Sequence, residues 1–323
     1  MLSLIAATAL SPTLLVLNKG TDTVWLIDLK TSEKKELKTG PNPNEVIVSP
    51  DQKTAAISEM GGNGRPAGKT ITLIDLPTKT ITRTIDITPH GAPHGIHWLS
   101  NDRLVFTSHV SDSINELDLK TGKIVRTLPT EQKGTHLVVF SPKNDRAYAV
   151  NAHSGSVTAF DFTSGKILKQ ITCGKGAEGI SISADGKWVA CGNVHAGDVS
   201  IIDTTKLEVV HTIPGVSLPI RTIFTKDGKH LAISSVGTGA LEIYDAKSWK
   251  KVTSVDLKQK PMAKPEYQGQ YPAPMNLWQT KNGRIYVVLV TSHAVAEIDA
   301  QTWKVVKTYD TGDLPDGLSV SEA

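Results

Sequence analysis

The chain has 323 residues, with 35 Lys and Arg against 32 Asp and Glu, for a formal charge of +3. At 39% hydrophobic and 21% charged it can bury a core and is too apolar for a disordered chain. The basic excess forms no long run, which argues against a nucleic-acid or anionic-membrane surface, and no apolar stretch reaches the ~18–20 residues that cross a bilayer.

The first eleven residues, MLSLIAATALS, are small and apolar, and Ala7-Thr8-Ala9 fits a signal-peptidase site, yet no basic residue precedes Lys19. Two readings stand. Residues 1–12 are the remnant of an export signal on a periplasmic or secreted protein, or an apolar lead-in to the first strand of a cytoplasmic one. Residues 13–323 read as a single domain.

From there a strand ending in Asp recurs, at Asp28, Asp75, Asp118, Asp161, Asp203, Asp245 and Asp299, with spacings of 47, 43, 43, 42, 42 and 54 residues. Each Asp opens a short polar turn, such as Leu119-Lys120-Thr121-Gly122-Lys123, and a β-branched strand follows. A second element precedes each of these, as in Val46-Ile47-Val48-Ser49-Pro50-Asp51 and Ile180-Ser181-Ile182-Ser183-Ala184-Asp185-Gly186. Another strand lies between the two, for example Ala147-Tyr148-Ala149-Val150-Asn151. Four antiparallel strands in about 42 residues is the size of one propeller blade. Residues 13–37 supply only three strands, and Asp316-Gly317-Leu318-Ser319-Val320-Ser321 supplies the missing first one. The expected fold is therefore an all-β, seven-bladed propeller, closed by the C-terminal strand joining the N-terminal three.

Tyr148-Ala149-Val150-Asn151 followed by Ser156-Val157, with the Ser-Pro-Asp and Ala-Asp-Gly turns, resembles the YVTN-type seven-bladed propellers along essentially the whole chain. Most blades depart from the literal motif. That resemblance implies the fold but no single activity, because such propellers include binding proteins, lactonases, lyases and redox subunits.

If the innermost strand of each blade runs from top to bottom, the loops after the second and fourth strands lie on top. Both length anomalies fall there. One is the segment from Glu59 to Pro66, and the other is the Pro-rich stretch from Lys260 to Pro274 with Tyr267 and Tyr271. Irregular loops on a rigid scaffold commonly carry binding. The starts of the innermost strands put Asn44, His94, His136, Glu178, Ile220, Met275 and Asp316 around the channel mouth, and the next positions add Glu45, Arg221 and Asn276.

Imidazole, carboxylate and amide groups together suit an acid–base pair or a divalent metal ion. The loops after the second strands add His109, His153, His195 and His293. Of the cluster His90, His94 and His97, only the first two can share a side, because strand side chains alternate. Cys173 and Cys191 read as unpaired small apolar residues.

Three functions compete. In the first, a monomeric binding protein takes a small molecule, peptide or protein partner on its top face, using Asn44, Glu45, Glu59, His109, His153, His195, Asn276 and His293. The second is a metal-assisted hydrolase or lactonase, with His94 or His136 as base, His94, His136, Glu178 and Asp316 as metal ligands, and Arg221 stabilising an oxyanion. Third, a multi-histidine rim resembles the copper-bearing propeller of nitrous oxide reductase and the haem-binding propeller of nitrite reductases.

Overall fold

The computed structural model describes residues 11–62, 64–258, 261–264 and 272–322. Among the described residues, twenty-eight strands form seven four-stranded antiparallel sheets arranged as the blades of a propeller, and the one helical segment is a 3-10 turn at Val290–Ser292. The innermost strands of blades 1 to 7 are Pro43–Val48, Pro93–Ser100, Thr135–Phe140, Ala177–Ile182, Pro219–Phe224, Pro274–Gln279 and Pro315–Ser321. Blade 7 is composite, as the sequence predicts. Strand Pro315–Ser321 pairs antiparallel with Thr13–Asn18, which continues through Thr23–Asp28 to Lys34–Lys38.

The repeated Asp residues work through local hydrogen bonds. Each ends a third strand and turns its carboxylate onto the backbone N–H groups of the following turn. Asp28 takes those of Lys30 and Thr31 at 2.8 and 2.9 Å, and Asp299 those of Gln301 and Thr302 at 2.9 Å. These bonds favour the ionised form, and the N–H of Thr31 contributes most to lowering the pKa of Asp28. At the turn after several innermost strands a hydroxyl does related work, with Ser49, Ser183 and Thr225 donating to Asp51, Asp185 and Asp227 at 2.6–2.7 Å.

Alternation explains the packing. Second strands lie between neighbours on both faces and are buried almost throughout, whereas fourth strands are mostly exposed, typically with one half-buried and one buried position. Each of seven apolar clusters fills one gap between adjacent blades. Between blades 3 and 4, for instance, Tyr148 and Val150 meet Ile180 and Val189. Cys173 and Cys191 belong to that cluster and are free thiols. No helix among the described residues is long and apolar enough to cross a membrane.

One loop expectation changes. The segment from Glu59 to Pro66 is mainly a prolonged hairpin, because its strands run to Gly61 and restart at Ala67. Glu59 is wholly buried in it and is no top-face ligand. Its carboxylate accepts from the N–H of Gly40 at 2.7 Å and from the hydroxyls of Thr70 and Thr72. Tyr267 and Tyr271 lie outside the described residues.

Candidate functional site

In every blade the pairing of the innermost strand is irregular near its top, as at Pro43/Glu45, Pro93/Ile96 and Pro219/Arg221. Such bulges re-aim side chains. Two consecutive positions of one strand thereby serve the mouth, so that Glu45, Arg221 and Asn276 join Asn44, His94, His136, Glu178 and Asp316. Glycine follows the ring residue at Gly95, Gly179 and Gly317. A Cβ there would come within 2.3–2.8 Å of the next blade's backbone, at Leu137, Ile220 and Asn44. Hydroxyls of the preceding blade then fix the ring carbonyls, with Ser58 donating to His94 O at 2.7 Å and Thr107 to His136 O at 2.5 Å.

The ring is one connected network. Arg221 Nη2 lies 3.0 Å from Glu45 Oε1, and Asn276 donates to Glu45 Oε2 at 2.8 Å, which ties blades 1, 5 and 6 together. His109 Nε2 is 2.8 Å from His136 Nδ1. His136 Nε2 is 3.1 Å from Glu178 Oε1, an ion-pair distance without the alignment of a full hydrogen bond. The His94 ring lies over His136, with centroids 3.9 Å apart. Lys19 bridges Asp316 at 2.8 Å and Asn44 at 3.4 Å, and a cavity of about 290 Å³ opens between Lys19, Met275 and Asp316.

Burial sets the charges. It pushes His94 well below the ordinary imidazole range, and the positive potential of His136 and Arg221 adds to the effect. Burial, reinforced by His136, brings His109 down to about 4. Burial raises the carboxyl of Glu45, with Arg221 opposing the rise and Asp316 adding to it. For Glu178 burial also favours the neutral acid, but His136 beside it wins and holds the carboxyl at about 2. Three buried polar atoms of the ring, His94 Nδ1, His136 Nε2 and Asp316 Oδ1, have no hydrogen-bond partner.

The structure sorts the histidines. His109 joins the ring. His153 and His195 are exposed, and each stands over the glycine that precedes the innermost strand of its own blade. A Cβ on Gly134 or Gly176 would touch those rings, so their recurrence is a packing repeat. His293 has left-handed backbone and lies 3.0 Å from Asp313. His90 turns away to Ser111 at 2.8 Å, so it does not converge with His94. His97 points to the other side, as alternation requires, stacking on Phe140 and meeting Asn144 at 3.1 Å.

The four expected metal ligands are also divided. His136 faces Glu178, the His94 ring is tilted by 41° against His136, and Asp316 is engaged by Lys19. Among the described residues no group of three or more His, Cys, Asp or Glu side chains is placed to hold a metal ion. Sequence reasoning left out Lys19, whose partner Asp316 lies 297 positions away.

Residues 100–222 match the family model of the cytochrome D1 heme domain. No curated protein matches the chain by sequence. In fold, it is similar to a protein of unknown function from Desulfotomaculum acetoxidans, at a TM-score of 0.78 and 12% identity over 95% of this chain and 98% of the other. It is also similar to the hydrazine synthase of Kuenenia stuttgartiensis, at a TM-score of 0.71 and 18% identity over 85% and 88% of the two chains.

Proposed function

We propose that this chain is a ligand-binding propeller that takes a small molecule at its polar channel mouth. The observation that carries this reading is the pair of buried atoms without a hydrogen-bond partner, His94 Nδ1 and Asp316 Oδ1, in an otherwise connected ring. Buried polar groups are nearly always hydrogen-bonded, and leaving one unpaired costs about 1–3 kcal/mol. A ligand supplying those bonds recovers that cost. The neutral imidazoles of His94 and His109 offer lone pairs and N–H groups at ordinary pH, and a cavity lies beside Asp316.

The test is a thermal-shift screen of small polar metabolites against the purified protein, His94→Ala and Asp316→Asn. A binder present at about 100 times its Kd stabilises by about 2.7 kcal/mol, a rise in Tm of several degrees. The expected result is a rise in the native protein that is lost in both variants. No rise with any compound, or an undiminished rise in both variants, would refute the proposal.

A second reading is a tetrapyrrole ligand. It is favoured by the cytochrome D1 heme domain match, since the matched segment holds His109, His136, Glu178 and Arg221. Titration with haemin should then produce a saturable Soret shift that changes in His136→Ala. A spectrum identical to free haemin rejects it.

A further inference from the structure

The two cysteines of the chain sit on opposite sides of one blade contact. Cys173 follows the outermost strand of blade 3, Lys166–Thr172, and Cys191 lies in the second strand of blade 4, Trp188–Asn193. Both belong to the apolar cluster between those blades. Asn193 holds them together. Its side-chain oxygen accepts from the N–H of Gly174 at 3.0 Å and from the Cys191 thiol at 3.8 Å, so the residue next to Cys173 and the sulfur of Cys191 share one acceptor. The N–H of Cys173 is fixed in turn on Gly155 O at 2.9 Å. The contact is tight, since a Cβ on Gly174 would stand 2.7 Å from the Asn193 side chain. The sulfurs are neighbours as well. Of the influences that push the Cys191 thiol well above its ordinary range, the Cys173 thiol is the largest, ahead of burial itself.

Exposure distinguishes the two thiols. Cys191 is wholly buried, whereas Cys173 is half-buried. A reagent in solution can reach Cys173 but not Cys191. The reactive form of a cysteine is the thiolate, so the suppressed ionisation of Cys191 also disfavours it as the first nucleophile. A partly exposed thiol beside a buried one is the arrangement of an attacking and a resolving cysteine.

We propose that Cys173 and Cys191 form a reversible disulfide that fastens blade 3 to blade 4 when the protein meets a small-molecule disulfide of the glutathione type. The Cys173 thiolate attacks one sulfur of the reagent. A bond from Cys173 to that sulfur forms, the reagent's own S–S bond breaks, and one reagent thiolate leaves, taking up the proton that Cys173 gave up. The Cys191 thiol then loses its proton and displaces the second reagent thiolate from the Cys173 sulfur, and that thiolate takes up the proton. Two protein thiols are oxidised by two electrons in all, and one reagent disulfide is reduced to two thiols. The cross-linked residues are eighteen positions apart, and the loop they close contains the innermost strand Ala177–Ile182, which bears Glu178. The assignment does not depend on what the mouth binds.

The test is incubation of the folded full chain with oxidised glutathione, followed by acid quenching, alkylation of free thiols and peptide mass spectrometry. The expected product is a Cys173–Cys191 linked peptide within one chain, returned to two free thiols by dithiothreitol. The linked protein should melt a few degrees above the reduced one, as closing a loop of this length implies. Cys191→Ala should stop at the first step and keep one glutathione on Cys173, while folded Cys173→Ala should take up none. The native protein alone decides the linkage, whatever the variants' stability. Absence of the linked peptide, a bond only between two chains, or a linked protein melting no higher than the reduced one would each overturn the assignment. So would a folded Cys191→Ala that gains no glutathione, or a folded Cys173→Ala that gains as much.

Discussion

The carboxylate of Glu59 sits wholly inside the protein with three donors around it, from Gly40, Thr70 and Thr72. Truncating it strands those donors, so Glu59→Ala should lower the unfolding free energy by about 3 kcal/mol. Urea denaturation measures this, and a loss below about 0.5 kcal/mol would contradict the structural role. The histidines add a pH dependence. His109 has a folded pKa of about 4 against an ordinary 6.5, and His94 is also displaced well downward. Between those values the unfolded chain binds protons that the folded one refuses, so stability falls as pH drops from about 6.5 towards 4. The slope is up to about 1.4 kcal/mol per pH unit for each imidazole. Glu178 acts in the same direction lower down. Its stabilisation is complete above the ordinary 4.5 and is lost as pH falls towards its own value of about 2. Thermal melts between pH 7 and 4 should show the first slope, and His109→Gln should flatten it. The ring positions were legible in the sequence because each is the start of a repeated strand. Pairings were not: Glu45 and Arg221 are 176 residues apart, and nothing in their spacing couples them. Nor could position separate His109, which enters the ring, from His153, which rests over Gly134.

At the scale of one blade, the legible part was local. The seven Asp turns use hydrogen bonds two or three residues long, so a repeated residue type is enough to announce them. Bulges at the tops of the innermost strands left no comparable signature, because they arise from pairing with a neighbouring strand. Glycine at the blade contacts was equally silent, since its role depends on how near the next blade comes. At Gly179 an added Cβ would stand 2.3 Å from Ile220 O, a backbone atom that cannot rotate away. Gly179→Ala should therefore cost about 1–3 kcal/mol by overpacking and move Glu178 relative to His136. A melting temperature equal to that of the native protein would show that the blades can part there without penalty.

Across the whole ring, the sequence arithmetic of three strands at one end and one at the other matches the observed pairing of Pro315–Ser321 with Thr13–Asn18. This seam buries Leu14, Val16, Leu318 and Val320 almost completely. Ending the chain after Leu314 would expose both that apolar surface and an unpaired strand edge. Such a truncation should lose cooperative melting and aggregate, as read by scanning calorimetry and size-exclusion chromatography; a monomer melting like the full chain would mean that the ring tolerates being open. The same seam orders events during biosynthesis. Residues 13–38 leave the ribosome before the other blades, but their own blade must wait for its partner strand until every intervening blade has been translated. Leu14 and Val16 are therefore unshielded through most of translation, which makes the nascent N-terminal hairpin a natural client for chaperones that hold growing chains.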